Sequence, residues 1–180
     1  MFRNHFIKIT IHAGETESSD NIWEALYCLH AKRIGHGLKL YQNKRMIEYL
    51  RDFHVALEMC PTSNVKTCTY RDFSNTTLAA NQSTDKETYP LQHYLQEGVG
   101  VTINTDNRGI SRTNLTDEYL KACQLTEGGL SKWEILKLIR QGFVSSFLSL
   151  QQKNILLNHV ERQVLSLVIN EYLETDTIRL

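Results

Sequence analysis

Hydrophobic and polar positions along the chain switch repeatedly between a period of two and a period near 3.6. Phe6-Ile7-Lys8-Ile9-Thr10-Ile11 is rich in β-branched and aromatic residues and predicts a first strand. Ser18-Ser19-Asp20 then supplies helix N-cap residues. Ile22, Ala25, Leu26 and Leu29 follow at i, i+3, i+4 and i+7, the spacing of one helix face. Arg33-Ile34-Gly35-His36-Gly37 predicts a very short second strand ending in glycine, and Met46, Ile47, Leu50 and Phe53 mark a second helix. Val55-Ala56-Leu57-Glu58-Met59-Cys60 predicts a third strand, stopped by Pro61. Residues 64–87 are rich in Thr, Asn and Ser and predict a loop, with a short helix near Leu78-Ala79-Ala80. Loops of that length are uncommon unless they serve a function. Pro90 suits the first turn of a third helix carrying Leu91, Tyr94 and Leu95, with Gly98 as its cap. Val99 to Asn104 predicts a fourth strand, which ends at Thr105-Asp106.

The remainder reads as helical. One helix spans about Asn114 to Leu125, and Ser131-Lys132-Trp133-Glu134 is a capping box that opens the next. A last helix carries Val160, Val164, Leu167 and Val168, with polar Gln151-Gln152-Lys153-Asn154 as the break before it. Four strands, each followed by helix, imply a parallel sheet with crossover helices, an α/β fold. The reactive side chains gather at predicted strand ends: His12 and Glu15, His36, Cys60 to Asn64, and Asp106. Ligands in parallel α/β folds bind at the carboxyl ends of strands. Several distant segments therefore direct chemistry to one face.

Composition narrows the classes. The 180 residues form a single-domain length, 41% hydrophobic and 22% charged, ordinary for a soluble globular chain. Twenty Lys+Arg against twenty Asp+Glu leave a formal net charge of +0, which argues against a nucleic-acid partner. No run of about 18 apolar residues predicts a membrane span. The polar start is no signal peptide, so a cytoplasmic location is expected. Cys28, Cys60, Cys68 and Cys123 form no Cys-x-x-Cys pair and are expected as reduced, buried small hydrophobes. Trp23 and Trp133 are expected in the core, and His5, His30, His54, His93 and His159 show no ligand spacing.

Four short segments carry the candidate chemistry, each beside a plainer alternative. In His12-Ala13-Gly14-Glu15, His12 suits a metal ligand and Glu15 a proton shuttle; the alternative is a loop histidine and a solvated carboxylate. Gly35-His36-Gly37 frees the backbone around His36 to approach a ligand, or forms a plain turn. Asp106 suits a metal ligand or a base, while Asp or Asn at Thr105-Asp106-Asn107 equally suits a helix cap. Cys60, ahead of Pro61, reads as buried rather than nucleophilic.

In their order along the chain, Ile11-His12-Ala13-Gly14-Glu15, Arg33-Ile34-Gly35-His36-Gly37, Glu58-Met59-Cys60-Pro61-Thr62-Ser63-Asn64 and Thr102-Ile103-Asn104-Thr105-Asp106-Asn107 resemble the adenosine deaminase family. The resemblance implies a (β/α)8 barrel with one zinc at the carboxyl ends of its strands. It implies His12 and Asp106 as zinc ligands and Glu15 as proton donor to the purine ring nitrogen. His36 matches the histidine that orients and helps deprotonate the attacking water, so Glu15, His36 and Asp106 form the implied catalytic set. Gly14 and Asn107 match positions that line the purine pocket. The implied reaction is zinc-dependent hydrolytic deamination of adenosine, and of 2'-deoxyadenosine, to inosine and ammonia. Zinc makes hydroxide available near neutral pH, so no nucleophilic side chain is required.

The sequence also departs from the family. No His-x-His occurs, so two further zinc ligands are missing. Four strands and 180 residues fall short of a barrel of eight strands and about 250 residues. Residues 1–180 are therefore expected to be the carboxyl-terminal portion of such a domain. Weak zinc binding, little turnover, and open edges at the first and fourth strands are expected to follow. The implied partners are a purine nucleoside and either a missing amino-terminal half or a second copy in a homodimer. Two alternatives stand beside the nucleoside deaminase. One is adenine deaminase, disfavoured by Asn107-Arg108-Gly109 after Asp106; the other is a non-catalytic remnant serving in assembly.

Overall fold

The computed structural model describes residues 7–16, 18–67, 70, 73 and 87–177. Among the described residues the sheet has four strands, β1 (Thr10–Ala13), β2 (Arg33–His36), β3 (Ala56–Met59) and β4 (Val101–Ile103), in the order β1-β2-β3-β4. All neighbouring pairs are parallel. The helices are α1 (Asp20–Tyr27), α2 (Lys44–Asp52), α3 (Pro61–Thr67), α4 (Leu91–Gln96), α5 (Arg108–Ser111), α6 (Leu115–Leu125), α7 (Lys132–Val144) and α8 (Leu150–Thr177), with a 3-10 turn at Leu38–Gln42. Parallel strands need crossovers, and the first two are α1 and α2, as the sequence period predicts. The chain divides into two compact units. The first, up to Ser145, holds the sheet and α1 to α7; the second, from Ser146, holds α8.

A large part of the first unit's core packs against one face of the sheet. Ile34, Leu57, Met59 and Val101 from the strands pack with Ile22 and Leu26 of α1, Ile47 and Leu50 of α2, and Leu91 and Tyr94 of α4. Burial of each such aliphatic side chain stabilises the fold by about 1.5–3 kcal/mol. Strand register places His12 beside Gly35, Gly35 beside Glu58, and Glu58 beside Thr102. Side chains alternate across a strand, so this lateral row shares the opposite face. It lines an open concavity of about 1040 Å³.

Several expectations need correction. The first strand begins at Thr10 and runs through the motif to Ala13. Pairing with β2 sets those bounds, so His12 sits in the strand rather than after it. Leu29 is exposed because α1 ends at Tyr27, two residues short of the predicted periodic position. Phe53 lies just past α2, exposed and stacked on Tyr49 at 4.4 Å. Asn64 to Thr67, predicted as loop, belong to α3. Gln151 to Asn154 lie inside α8. The Ser149 hydroxyl and the Gln152 side chain cap its first turn, so the break precedes them. Trp23 and Trp133 are exposed, 43% and 71%, because each lies on the outer face of its helix. Cys60 is buried as expected, whereas Cys28 at the end of α1 is exposed and Cys123 half-buried. His5, Phe6, Cys68 and Leu78-Ala79-Ala80 lie outside the described residues. No described helix is long and apolar enough to cross a membrane.

Candidate metal centre

Three strand ends and one following turn bring the expected side chains together. His12 projects from β1 onto the open face of the sheet, and Gly35 of β2 is its lateral neighbour. A Cβ on Gly35 would stand 2.5 Å from His12 Cδ2, so the missing side chain of Gly35 is the space that the imidazole fills. The sequence reading assigned that space to a ligand; the structure gives it to His12. Glycine at 14 is equally constrained. It is left-handed, φ 65°, and a Cβ there would meet Ile22 Cδ1 at 2.5 Å. Its N–H donates to Asn21 Oδ1 at 2.9 Å, which fixes the turn leading to Glu15.

His36 ends β2 with φ 67°, and Asp106 follows β4 with φ 51°. Both values lie in the left-handed region that non-glycine residues seldom enter, a strain that recurs at functional sites. The conformation interrupts the strand's alternation, and the His36 ring meets His12 edge-on, centroids 4.7 Å apart. His36 Nε2 lies 3.2 Å from His12 Nδ1 and 3.6 Å from Glu15 Oε2. One ligand atom each from His12, His36 and Asp106 all fall within 4.8 Å of one another. Imidazole nitrogen and carboxylate oxygen are the donor set that zinc accepts, so His12 and Asp106 fit the ion. His36 is buried, whereas His12 and Asp106 are exposed. Burial pushes the His36 imidazole below its ordinary range; Glu15 and Asp106 pull it upward, and His12 lowers it further.

Helix α3 holds this group from behind, and the sequence reading missed it. The Ser63 hydroxyl donates to Asp106 Oδ2 at 2.8 Å. The next residue, Asn64, is fully buried, and its Nδ2 lies 2.9 Å from His36 Nδ1. Glu118 of α6, also fully buried, accepts from the Thr62 N–H at 2.9 Å and ties the start of α3 in place. Proline at the first helical position after a strand end was the available signal for α3. Nothing local pointed to Glu118, fifty-six residues away.

Two other expected residues have plainer surroundings. Asn107 caps α5, its side chain accepting from the Ile110 N–H at 3.0 Å, as the capping alternative foresaw. Cys60 donates its N–H to Asn64 Oδ1 and its thiol to the Glu58 carbonyl. Burial pushes that thiol far above its ordinary range, against a nucleophilic role.

The sequence profile of the adenosine deaminase family matches residues 1–163. Adenosine deaminase of Clostridium acetobutylicum is 41% identical over 141 residues, which cover 78% of this chain and 38% of that protein. The chain thus spans about two fifths of the length of the curated relatives it matches. Among solved structures, adenine deaminase of Arthrobacter aurescens aligns with a TM-score of 0.70 at 28% identity, over 88% of this chain and 44% of that one. An amidohydrolase of Burkholderia ambifaria with bound Zn aligns at 0.68 with 18% identity, over 85% and 39%, a likeness of fold alone. These neighbours place the four parallel strands and their helices as part of a TIM-type barrel.

Proposed function

The chain belongs to the adenosine deaminase family, and from that premise we propose that it supplies the proton-transfer and part of the metal-binding machinery for hydrolytic deamination of adenosine and 2'-deoxyadenosine. The observation that carries this reading is the convergence of His12, Glu15, His36 and Asp106, from separate segments, on one end of the sheet. His12 and Asp106 would hold zinc. When bound, zinc supplies the Lewis acidity that lets water act as a nucleophile near neutral pH.

The chain's own residues then have distinct tasks. Glu15, beside His36, donates a proton to the purine ring nitrogen, which makes the ring carbon electrophilic. His36 orients the attacking water from within the sheet wall, where burial favours its neutral form. Asp106, held by Ser63, would be a ligand of the metal and contacts that water. Gly14, packed where a side chain would strike Ile22, holds the turn that presents Glu15. Water adds to the carbon bearing the amino group; one of its protons passes to the amino group, which leaves as ammonia when the C–N bond breaks, and the other returns to Glu15.

Purified chain, zinc and adenosine test the proposal, read by loss of absorbance at the adenine band with adenine as a comparison substrate. Slow conversion of adenosine to inosine is expected, because one chain offers two of the ligands that catalytic zinc sites normally take in threes. Glu15→Gln is expected to abolish it. Turnover no greater than that of Glu15→Gln would overturn the proposal.

A further inference from the structure

Asn64 decides which way the His36 ring can face chemically. Its side-chain oxygen accepts two donors: the Cys60 N–H at 3.2 Å and the Tyr89 hydroxyl at 2.9 Å. A backbone N–H can only donate, so the atom it meets must be the amide oxygen. The amide nitrogen therefore faces His36 Nδ1, at 2.9 Å. An amide nitrogen can only donate, so Nδ1 must present its lone pair. A neutral imidazole carries one proton, and it must then sit on Nε2, the nitrogen that faces His12 and Glu15.

We propose that Asn64 is a positioning residue that pins neutral His36 in the Nε2–H tautomer, making it a hydrogen-bond donor to the site and excluding it from the ligand set. Three features make the device rigid. Asn64, His36 and Tyr89 are each no more than 1% exposed, so water does not compete for their hydrogen bonds. Asn64 lies in the first turn of α3, whose start is tied to Glu118. Tyr89 is itself packed edge-on against Tyr70, ring centroids 5.1 Å apart. Of the three side chains gathered at the centre, His36 turns an N–H toward His12 Nδ1 and Glu15 and spends its one lone pair on Asn64, so it has none to give a cation. In the proposed reaction that N–H is what orients water, and to that extent the role rests on the proposed function. The tautomer itself does not, since it is read without substrate.

Long-range proton–nitrogen NMR of the full chain, labelled with 15N-histidine and free of metal, tests the proposal at about pH 8.5, above the ordinary imidazole range. The His36 signals are identified by their loss in His36→Gln. The expected wild-type pattern has Nε2 protonated and Nδ1 bare. Asn64→Asp replaces the donor by an acceptor and is expected to move the proton to Nδ1. Tyr89→Phe leaves the Cys60 N–H in place and is expected to keep the wild-type pattern. Added zinc is expected to shift the His12 nitrogens and leave the His36 Nε2 proton in place. A wild-type proton on Nδ1, an unchanged pattern in folded Asn64→Asp, or loss of the Nε2 proton on zinc addition would each overturn the proposal. If Asn64→Asp does not fold, the wild-type and zinc spectra still decide it. A chain that never deaminates adenosine leaves this result standing.

Discussion

At the scale of single residues, the centre depends as much on what is missing as on what is present. Gly35 has no side chain where His12 lies, and no small shift clears a contact of 2.5 Å with a ring. Gly35→Ala is expected to cost about 1–3 kcal/mol of stability, the usual penalty for overpacking. It is also expected to weaken zinc binding about tenfold or more, in the range of changes behind a metal ligand. Urea unfolding and competition with a chelating dye read the two effects separately. Cysteine chemistry gives a second check. Cys28 is exposed and Cys60 is buried with its thiol pushed far up. Brief alkylation of the native chain, mapped by peptide, is expected to modify Cys28 and spare Cys60. Rapid modification of Cys60 would contradict the buried assignment.

At the scale of elements, α3 is the piece that organises the centre. Its Ser63 and Asn64 reach Asp106 and His36, and Glu118 anchors its start. Glu118→Ala leaves the Thr62 N–H unpaired and is expected to destabilise the chain by about 1–3 kcal/mol. Glu118→Gln keeps an acceptor and is expected to cost less, so denaturant unfolding of the pair isolates the anchor. Helix α7 offers an independent measure. Ser131 and Glu134 form a reciprocal capping box, and Ser131→Ala is expected to cost about 1 kcal/mol. The Ser131 hydroxyl and N–H hold the Glu134 carboxyl below its ordinary range. A carboxyl lowered on folding stabilises above its unfolded value and loses that contribution as pH falls through the folded one. The difference between wild type and Ser131→Ala in thermal unfolding is therefore expected to shrink in acid.

At the scale of the whole molecule, the sheet of the described residues ends at β1 on one side and β4 on the other. Among the described residues, β1 pairs only with β2 and β4 only with β3. Parallel edges with unpaired N–H and C=O groups are templates for association. The open face between them carries the lateral row of His12, Glu58 and Thr102, whose polar side chains line the concavity. Sedimentation equilibrium is expected to show an average mass that rises with concentration; a monomer mass throughout would contradict this.

Periodicity alone determined the alternation of strands and helices, since side-chain spacing follows directly from backbone geometry. It placed α1, α2, α6 and α7 and the second, third and fourth strands to within a few residues, put the first strand too early, and marked the start of α7 by its Ser131 capping box. The four motif segments likewise pointed to His12, Glu15, His36 and Asp106. What the sequence did not show was what those residues lean on. The Gly35 space, the Asn64 bond to His36 and the Glu118 tie to α3 join residues 23 to 56 positions apart. Such contacts have no local period or spacing. Only strand register and helix packing, settled by the burial of the whole core, bring their partners within hydrogen-bond reach.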